Sequence, residues 1–214
     1  RLTTPVRADG FDPLGDNTVA KRLPTSVRRV LVAGHSAYLT EAEQRRAIAP
    51  RLHAARTRAP DAWIGTEGIE RVALAAGGTQ FELLSQDTER DLQSLRAAGF
   101  EGELAVYAPV VLTDDEDTIL DALGSYVARR QSVAAALSDC ATEQSASHEM
   151  RTADGIPTDS TAVGRVREIL LNASHAFALV GTTEQVNGRV SELREAGVDI
   201  IVGYMARGIE KVPD

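Results

Sequence analysis

Cysteine, aromatic residues and lysine are all scarce in this 214-residue sequence. The single cysteine, Cys140, excludes an internal disulfide. Because it lies in a polar stretch without a second cysteine or a histidine cluster, we interpret it as a bystander thiol rather than a nucleophile. Aromatic residues make up only 4%, so a core must consist mainly of Ala, Val, Leu and Ile side chains. Lysine occurs only at Lys21 and Lys211, and we attribute the preference for arginine to codon usage rather than to a binding patch.

Charge and hydropathy disfavour two kinds of partner. The formal net charge of −8 argues against non-specific nucleic-acid binding, which relies on clustered basic side chains. No apolar run approaches the roughly 18 residues of a membrane-spanning helix, and no signal-peptide pattern opens the sequence. We therefore expect a cytoplasmic protein, and its 43% hydrophobic content is enough for one sizeable core.

Strand-like and helix-like segments alternate along the chain. Apolar runs rich in Val, Ile and Leu are separated by segments with the period of amphipathic helices. The strand candidates are centred near residues 30, 63, 82, 107, 179 and 201. Strict alternation without a hairpin signal predicts an α/β fold with a parallel sheet, either a doubly wound open sheet or a β/α barrel.

Two segments fall outside this pattern and shape the predicted domain organisation. Residues 1–26 show neither period and are predicted to be an irregular N-terminal arm, followed by a barrel-type domain over residues 27–214. Residues 138–161 have almost no large apolar side chains, which predicts a polar insertion that is irregular or forms a lid.

Two helix starts have the spacing of a capping box, in which an N-cap hydroxyl and an acid or amide three residues later satisfy free N–H groups. Thr40 and Glu43 predict a short helix that Pro50 helps to end. Thr182 and Gln185 predict a second helix, which joins the strands "FALV" and "DIIV" into a βαβ unit.

Two stretches resemble the luciferase-like monooxygenase superfamily, which includes flavin- and coenzyme F420-dependent oxidoreductases. The first, "APDAWIGTEGIERVALAAGGTQFELL", is similar to the family's Pro-x-x-x-Ile-Gly segment and Ala-rich helix. The second, "ALVGTTEQVNGRVSELREAGVDIIV", is similar to its closing Val-Gly-Thr-Pro-Glu-x-Val helix and Ala-Gly-Val-Asp strand, with Thr183 at the usual proline. The resemblance covers about residues 59–205.

The resemblance implies a (β/α)₈ barrel that binds FMN or coenzyme F420. The matched region corresponds to the family's second half, and only 58 residues precede Ala59, so we expect an incomplete or shortened barrel. An unclosed sheet leaves edge strands that proteins cover or pair. We therefore predict that residues 1–26 cover the edge beside Val27–Val32, or that a second chain does so in a homo-oligomer or with a partner chain.

The predicted cofactor site lies in turns from a strand into a helix, where unpaired backbone N–H groups can hold a phosphate. The first turn consists of Gly65, Thr66, Glu67 and Gly68, and the resemblance implies that this loop approaches the cofactor phosphate. Simple N-capping by Thr66 is the alternative, and Glu67 would repel an anion. Gly181 and Thr182 form a second such turn, for which helix capping and contact with a ligand are both open.

His35 follows the first strand and is the candidate catalytic residue. In a barrel the carboxyl ends of the strands face the active site, so His35 could donate a proton there, although a solvated loop histidine is the alternative. The acidic run Asp114–Asp117 directly precedes a helix, which favours stabilisation of the helix dipole over metal binding. The other histidines are scattered, so no metal site is expected.

Two functions remain open at the level of sequence. The first is an FMN- or F420-dependent oxidoreductase or monooxygenase acting on a small organic substrate. The alternative is a non-catalytic protein derived from a barrel, which binds a flavin or serves a structural role and associates with a partner chain.

Overall fold

The computed structural model describes residues 2–5, 24, 26–27, 29–32, 48–65, 70–151 and 159–206. The chain divides into two compact units. Unit one comprises Arg1–Tyr107 and Val190–Val202, and unit two comprises Ala108–Arg189 and Gly203–Asp214.

Along the described residues, single helices separate most of the strands, and three helices lie between the fifth and the sixth strand. The strands are β1 (Leu2–Pro5), β2 (Arg29–Val32), β3 (Trp63–Gly65), β4 (Gln80–Leu83), β5 (Leu104–Val111), β6 (Leu179–Val180) and β7 (Ile200–Met205). The helices are α1 (Ile48–Arg58), α2 (Glu70–Ala76), α3 (Thr88–Ala97), α4 (Glu116–Val127), α5 (Gln131–Arg151), α6 (Asp159–Phe177) and α7 (Thr183–Glu195). A strand therefore lies at each of the positions that the sequence pattern indicated.

The sheet of unit one is parallel and follows chain order from β1 through β4 to the first half of β5. Its register places Val30 beside Trp63, and Phe81 beside Ala105. In unit two, β6 pairs in parallel with the second half of β5, where Val110 lies beside Leu179. These five parallel pairings confirm the predicted α/β fold with a parallel sheet.

β1 corrects one expectation about the N-terminal residues and confirms another. Leu2–Pro5 form a strand rather than an irregular arm, and this strand pairs in parallel with β2 from Leu2 beside Arg29 to Pro5 beside Val32. Pro5 is compatible with this position because proline is tolerated in edge strands. The prediction that residues 1–26 cover the edge beside Val27–Val32 is therefore confirmed for this segment.

Helix ends in unit one follow the glycine signals. Gly77 and Gly78 have φ angles of 62° and 76°, a left-handed conformation that glycine adopts without a Cβ clash, and they directly follow the last residue of α2. The Arg56 Nη1 group donates to the carbonyl of Ala76 at 2.9 Å, which satisfies one of the free carbonyls at that helix end.

Unit two is built on the packing of α4 and α5 against α6. One cluster joins β5, α4 and the segment after α6 through the buried side chains of Val111, Ile119, Leu123 and Ala178. A second cluster joins α4, α5 and α6 through the buried side chains of Val127, Val133, Ala173 and Phe177. Buried apolar stripes on facing helices thus supply the core of this unit.

Two segments differ from the sequence-based expectation. An irregular insertion was predicted over residues 138–161. Residues 138–151 are instead helical, as part of α5, and α6 begins at Asp159. Residues 152–158 lie outside the described part. The segment lacks an apolar stripe, but its Ala, Glu and Gln residues have high intrinsic helix propensity.

The prediction that Pro50 helps to end a helix is wrong. Pro50 lies in the first turn of α1, where proline costs little. Thr40 and Glu43, the capping pair of the predicted helix, lie outside the described residues.

Candidate functional site

One face of the unit-one sheet carries Val30, Trp63 and Ala105. Among the described residues, the apolar cluster on this face consists only of side chains from strands. These three side chains are buried, and Phe81, Ile200 and Val202 pack against them while partly buried. We call this surface the strand-only face. The opposite face carries Leu31, Ile64, Gln80 and Leu104, all fully buried.

Aromatic rings form a row along the strand-only face. The ring centroids of Trp63 and Phe81 are 5.7 Å apart, and those of Phe81 and Tyr107 are 5.8 Å apart, both in tilted arrangements. Such distances are typical of favourable aromatic pairs. The row crosses three neighbouring strands and runs from the amino end of β3 towards the carboxyl end of β4.

Exposure increases along this row. Trp63 is only 2% exposed, Phe81 and Tyr107 are half-buried, and Leu83, which lies beside Tyr107 in the register, is 40% exposed. Leu83 belongs to the same face as Phe81 because alternate residues of a strand point to the same side. The strand-only face is therefore closed by side chains near Trp63 and open to solvent near Leu83.

Three side chains of neighbouring strands line the open end. Phe81, Leu83 and Tyr107 supply two rings and one aliphatic side chain, and the Tyr107 phenol adds a group that can donate and accept hydrogen bonds. Sequence reasoning missed these residues, because their proximity depends on the strand register. The available signal was their spacing, since Phe81 and Leu83 are two residues apart on a predicted strand.

The first predicted phosphate turn is described only at Gly65. This glycine ends β3, is buried and lies beside Val32 in the register. Thr66, Glu67 and Gly68 lie outside the described residues, as does the candidate catalytic residue His35. The phosphate turn and the role of His35 therefore stay predictions.

The second predicted turn, in unit two, forms the capping box that the sequence indicated. The backbone N–H of Thr182 donates to Oε1 of Gln185 at 2.7 Å, and the N–H of Gln185 donates to the Thr182 hydroxyl at 3.4 Å. The N–H of Gly181 donates to the carbonyl of Val111 at 3.2 Å. Several of the donors that a ligand phosphate would need are therefore already used inside the protein.

Gly181 and Glu184 set the shape and charge of this turn. Gly181 has a φ of 132°, and a Cβ built there would lie 2.5 Å from Oε1 of Gln185, so only glycine fits. The pKa of Glu184 lies below its ordinary value because its carboxylate accepts hydrogen bonds from its own backbone N–H and from the Thr182 hydroxyl. The negative charge at the start of α7 suits the helix dipole and disfavours a second anion there.

The acidic run Asp114–Asp117 lies at the start of α4 and stabilises that helix end, as its position in the sequence indicated. The Asp115 carboxylate accepts from the backbone N–H of Thr118 at 2.8 Å. Arg167 on α6 pairs with Asp117 at 2.7 Å and with Glu116 at 3.0 Å. These two carboxylates, Asp117 foremost, raise the pKa of the Arg167 guanidinium, and the ion pairs link α4 to α6.

The described part of the chain has neither a cluster of metal-ligating side chains nor a membrane-spanning helix. No three His, Cys, Asp or Glu side chains there are grouped so that they could hold a metal ion. None of the described helices has the length and apolar character needed to cross a membrane.

Comparison with known proteins places the chain in a family without giving it an activity. No curated protein matches the sequence. The sequence profile of the family of unknown function DUF7388 matches residues 1–212, nearly the whole chain, and the protein therefore belongs to this family.

Proposed function

We propose that the protein is an FMN- or F420-dependent oxidoreductase or monooxygenase that acts on a small organic substrate, with the cofactor ring at the open end of the strand-only face. The observation that carries the proposal is the change from the closed end at Trp63 to the open end at Leu83 along one row of aromatic side chains. A ring that enters from the open end would meet Tyr107 and Phe81 first.

The arrangement of the strands supports a barrel-type fold for this site. In unit one, β1 to β5 are parallel and in chain order, and a cluster of strand side chains alone is typical of a barrel interior. Active sites in such folds lie at the carboxyl ends of the strands. Leu83 is the last residue of β4, so the open end of the strand-only face lies at that position.

The residues present fit the ring of either cofactor. Aromatic and aliphatic side chains line most small-molecule sites, and a few polar groups fix the orientation of the ligand. Phe81 and Leu83 would supply apolar contact, and Tyr107 would supply the polar group. The bound cofactor supplies the redox chemistry, while these side chains orient its ring and exclude water from one side.

The phosphate of the cofactor is assigned in this proposal to the turn that begins at Gly65. The buried glycine at the end of β3 allows the close approach of a ligand to the backbone, as at other phosphate turns. The turn at Gly181 and Thr182 is less suitable, because its capping box uses the backbone donors and Glu184 adds a negative charge.

A titration with two matched leucine variants tests the ring site. Leu83 is 40% exposed on the strand-only face, and Leu74 is 41% exposed on α2, so the same change to glutamate alters similar exposed areas. Leu83→Glu should weaken FMN or F420 binding about tenfold or more, because it places a charge beside the apolar ring. Leu74→Glu should leave the affinity unchanged. The readouts are the visible spectrum of the purified protein and the dissociation constants from fluorescence titration.

Two results would count against this function. Equal cofactor affinities of the Leu83→Glu and Leu74→Glu variants would show that the ring does not bind at the strand-only face. Failure of the folded wild-type protein to bind either cofactor at millimolar concentration would remove the flavin and deazaflavin proposal altogether.

The alternative, a non-catalytic protein that associates with a partner chain, is favoured by one feature of unit two. Tyr204 and Met205 at the end of β7 are 36% and 49% exposed, so a strand end presents large apolar side chains to solvent. Such surfaces are common at protein interfaces. Light scattering that shows association, together with the absence of cofactor binding, would support this alternative.

A further inference from the structure

A polar cleft of about 530 Å³ in unit one lies away from the residues proposed to hold the cofactor ring. Its lining includes Arg29 at the amino end of β2, Arg58 at the end of α1, and Pro60 and Asp61 in the loop before β3. The volume lies within the usual range for small-molecule sites, about 300–1,000 Å³. The cleft is therefore large enough for a metabolite rather than only for water.

Arg29 is the most informative residue of this cleft. Its side chain is half-buried, yet within the described residues it has no hydrogen-bond or ion-pair partner. The other half-buried arginines that the structure describes have partners, for example Arg96 with Asp199 at 2.9 Å. A partly desolvated guanidinium without a partner forgoes hydrogen bonds that it could make with an anion.

The position of Arg29 explains why its side chain lines the cleft. Arg29 and Leu31 point to the same side of β2, because alternate residues share a face, and Leu31 is fully buried there. Helix α1 packs against β2, and its last residue, Arg58, lines the same cleft. Two guanidinium groups from neighbouring elements are thus brought to one opening.

The local charge differs in sign from that of the whole protein. Arg29, Arg58 and Asp61 together carry a formal charge of +1, that is two positive charges and one negative charge, whereas the chain carries −8. Guanidinium groups bind oxyanions through paired N–H donors, and a phosphate has enough oxygens to accept from two of them. Arg58 also has an interaction within the protein, so Arg29 is the main candidate for the ligand contact.

We propose that this cleft is a binding site for a phosphate group, either inorganic phosphate or the phosphate of a small metabolite, with Arg29 as its principal ligand. The proposal does not rest on the redox function, because it uses none of the residues assigned to the cofactor. A site at the amino ends of β2 and β3 lies at the end of the strands where barrel enzymes do not carry out catalysis. Its role would therefore be regulatory or stabilising.

Isothermal titration of the full chain with inorganic phosphate and with glycerol phosphate tests the proposal, and sodium acetate at equal ionic strength is the control. The wild-type protein should bind phosphate more tightly than acetate. Arg29→Ala should weaken phosphate binding about tenfold or more, the loss expected for a charge-assisted hydrogen bond. The phosphate affinity of Arg29→Lys should lie between those of the wild type and Arg29→Ala, because lysine retains the charge and loses the paired donors.

Two further variants separate a local effect from a loss of folding. Arg90→Ala is the matched control, because Arg90 is exposed on α3 and pairs with Asp87 at 3.0 Å, outside the cleft; it should bind phosphate like the wild type. Asp61→Asn should tighten phosphate binding several-fold, because it removes a negative charge from the lining. A gain in affinity cannot result from unfolding.

The measured affinities decide whether the site binds phosphate and which phosphate compound it prefers. Weaker binding in Arg29→Ala together with tighter binding in Asp61→Asn supports the site. Glycerol phosphate binding more tightly than inorganic phosphate would identify a phosphorylated metabolite as the ligand, and the reverse would identify the free ion. Unchanged phosphate affinity in Arg29→Ala, or no phosphate binding by the wild type at 10 mM or so, well above typical metabolite affinities, would overturn the proposal.

Discussion

Asp199 shows how one side chain can give a recognisable motif a structural role. Its Oδ2 atom accepts from Arg96 Nη2 at 2.9 Å and from the backbone N–H of Leu104 at 2.8 Å. Arg96 also donates to the carbonyls of Phe100 at 2.9 Å and Gly102 at 2.6 Å. Asp199 thus connects the end of α3 with the starts of β5 and β7. The aspartate of the "AGVD" stretch therefore stabilises the fold of unit one.

Replacing Asp199 should destabilise unit one. Asp199→Ala removes two charge-assisted hydrogen bonds, one of them from Arg96, and should lower the free energy of unfolding by about 1–2 kcal/mol, since both side chains of the ion pair are partly exposed. Asp199→Asn should cost less, because an amide oxygen can still accept from Leu104. Urea unfolding measures both. Asp91→Ala, which removes an exposed pair with Arg90, is the control and should cost about 0.5 kcal/mol or less.

Glu184 offers a pH-dependent test of the capping box. Its pKa is lowered from the ordinary 4.5, so its stabilising effect is present above that value and is lost as the pH falls through the lower folded-state pKa. Thr182→Val removes one of the two hydrogen bonds to the carboxylate and should raise the pKa of Glu184 towards 4.5. An NMR titration of the Glu184 side chain measures this shift.

The same variant also has an effect on stability. Thr182→Val removes the N-cap hydroxyl of α7 and should cost about 0.5–2 kcal/mol at neutral pH. The cost should decrease in acid, where Glu184 is protonated in both proteins. A Glu184 pKa that is identical in the two proteins would show that the Thr182 hydroxyl does not contact the carboxylate in solution.

At the scale of elements, the sequence predicted what depends on neighbouring residues. The capping box of Thr182 and Gln185 and the strand β5 were both predicted, because the first depends on local spacing and the second on a continuous apolar run. Helix α5 was missed beyond residue 137 because its helical character comes from propensity without an apolar stripe. Periodicity alone does not detect such a helix.

The candidate ring site was harder to predict for a physical reason. Trp63, Phe81 and Tyr107 belong to three strands, and only the register brings the Phe81 ring within 6 Å of each of the other two. A shift of one residue would move each ring to the other face of the sheet. The sequence therefore predicted the turns at the ends of the strands, whereas the aromatic row emerged only with the sheet.

At the scale of the whole molecule, the edge of the sheet is the feature that links fold and association. β1 pairs along all of β2, from Leu2 beside Arg29 to Pro5 beside Val32, and so uses hydrogen-bonding groups that an edge strand would otherwise expose. β1 ends in proline, which lacks an N–H donor, and this makes β1 a poorer template for a further strand than β2 would be.

A variant that lacks residues 1–5 should therefore associate more strongly than the full chain. Removing β1 exposes the edge of β2, whose Val30 and Leu31 have high strand propensity and can pair with the same edge of a second molecule. Light scattering as a function of protein concentration should show a higher average mass for the truncated chain. The full chain carrying Thr4→Lys is the control, because it keeps the strand and adds a charge at the edge. If the truncated and full chains have the same mass at every concentration, β1 does not protect the edge of the sheet.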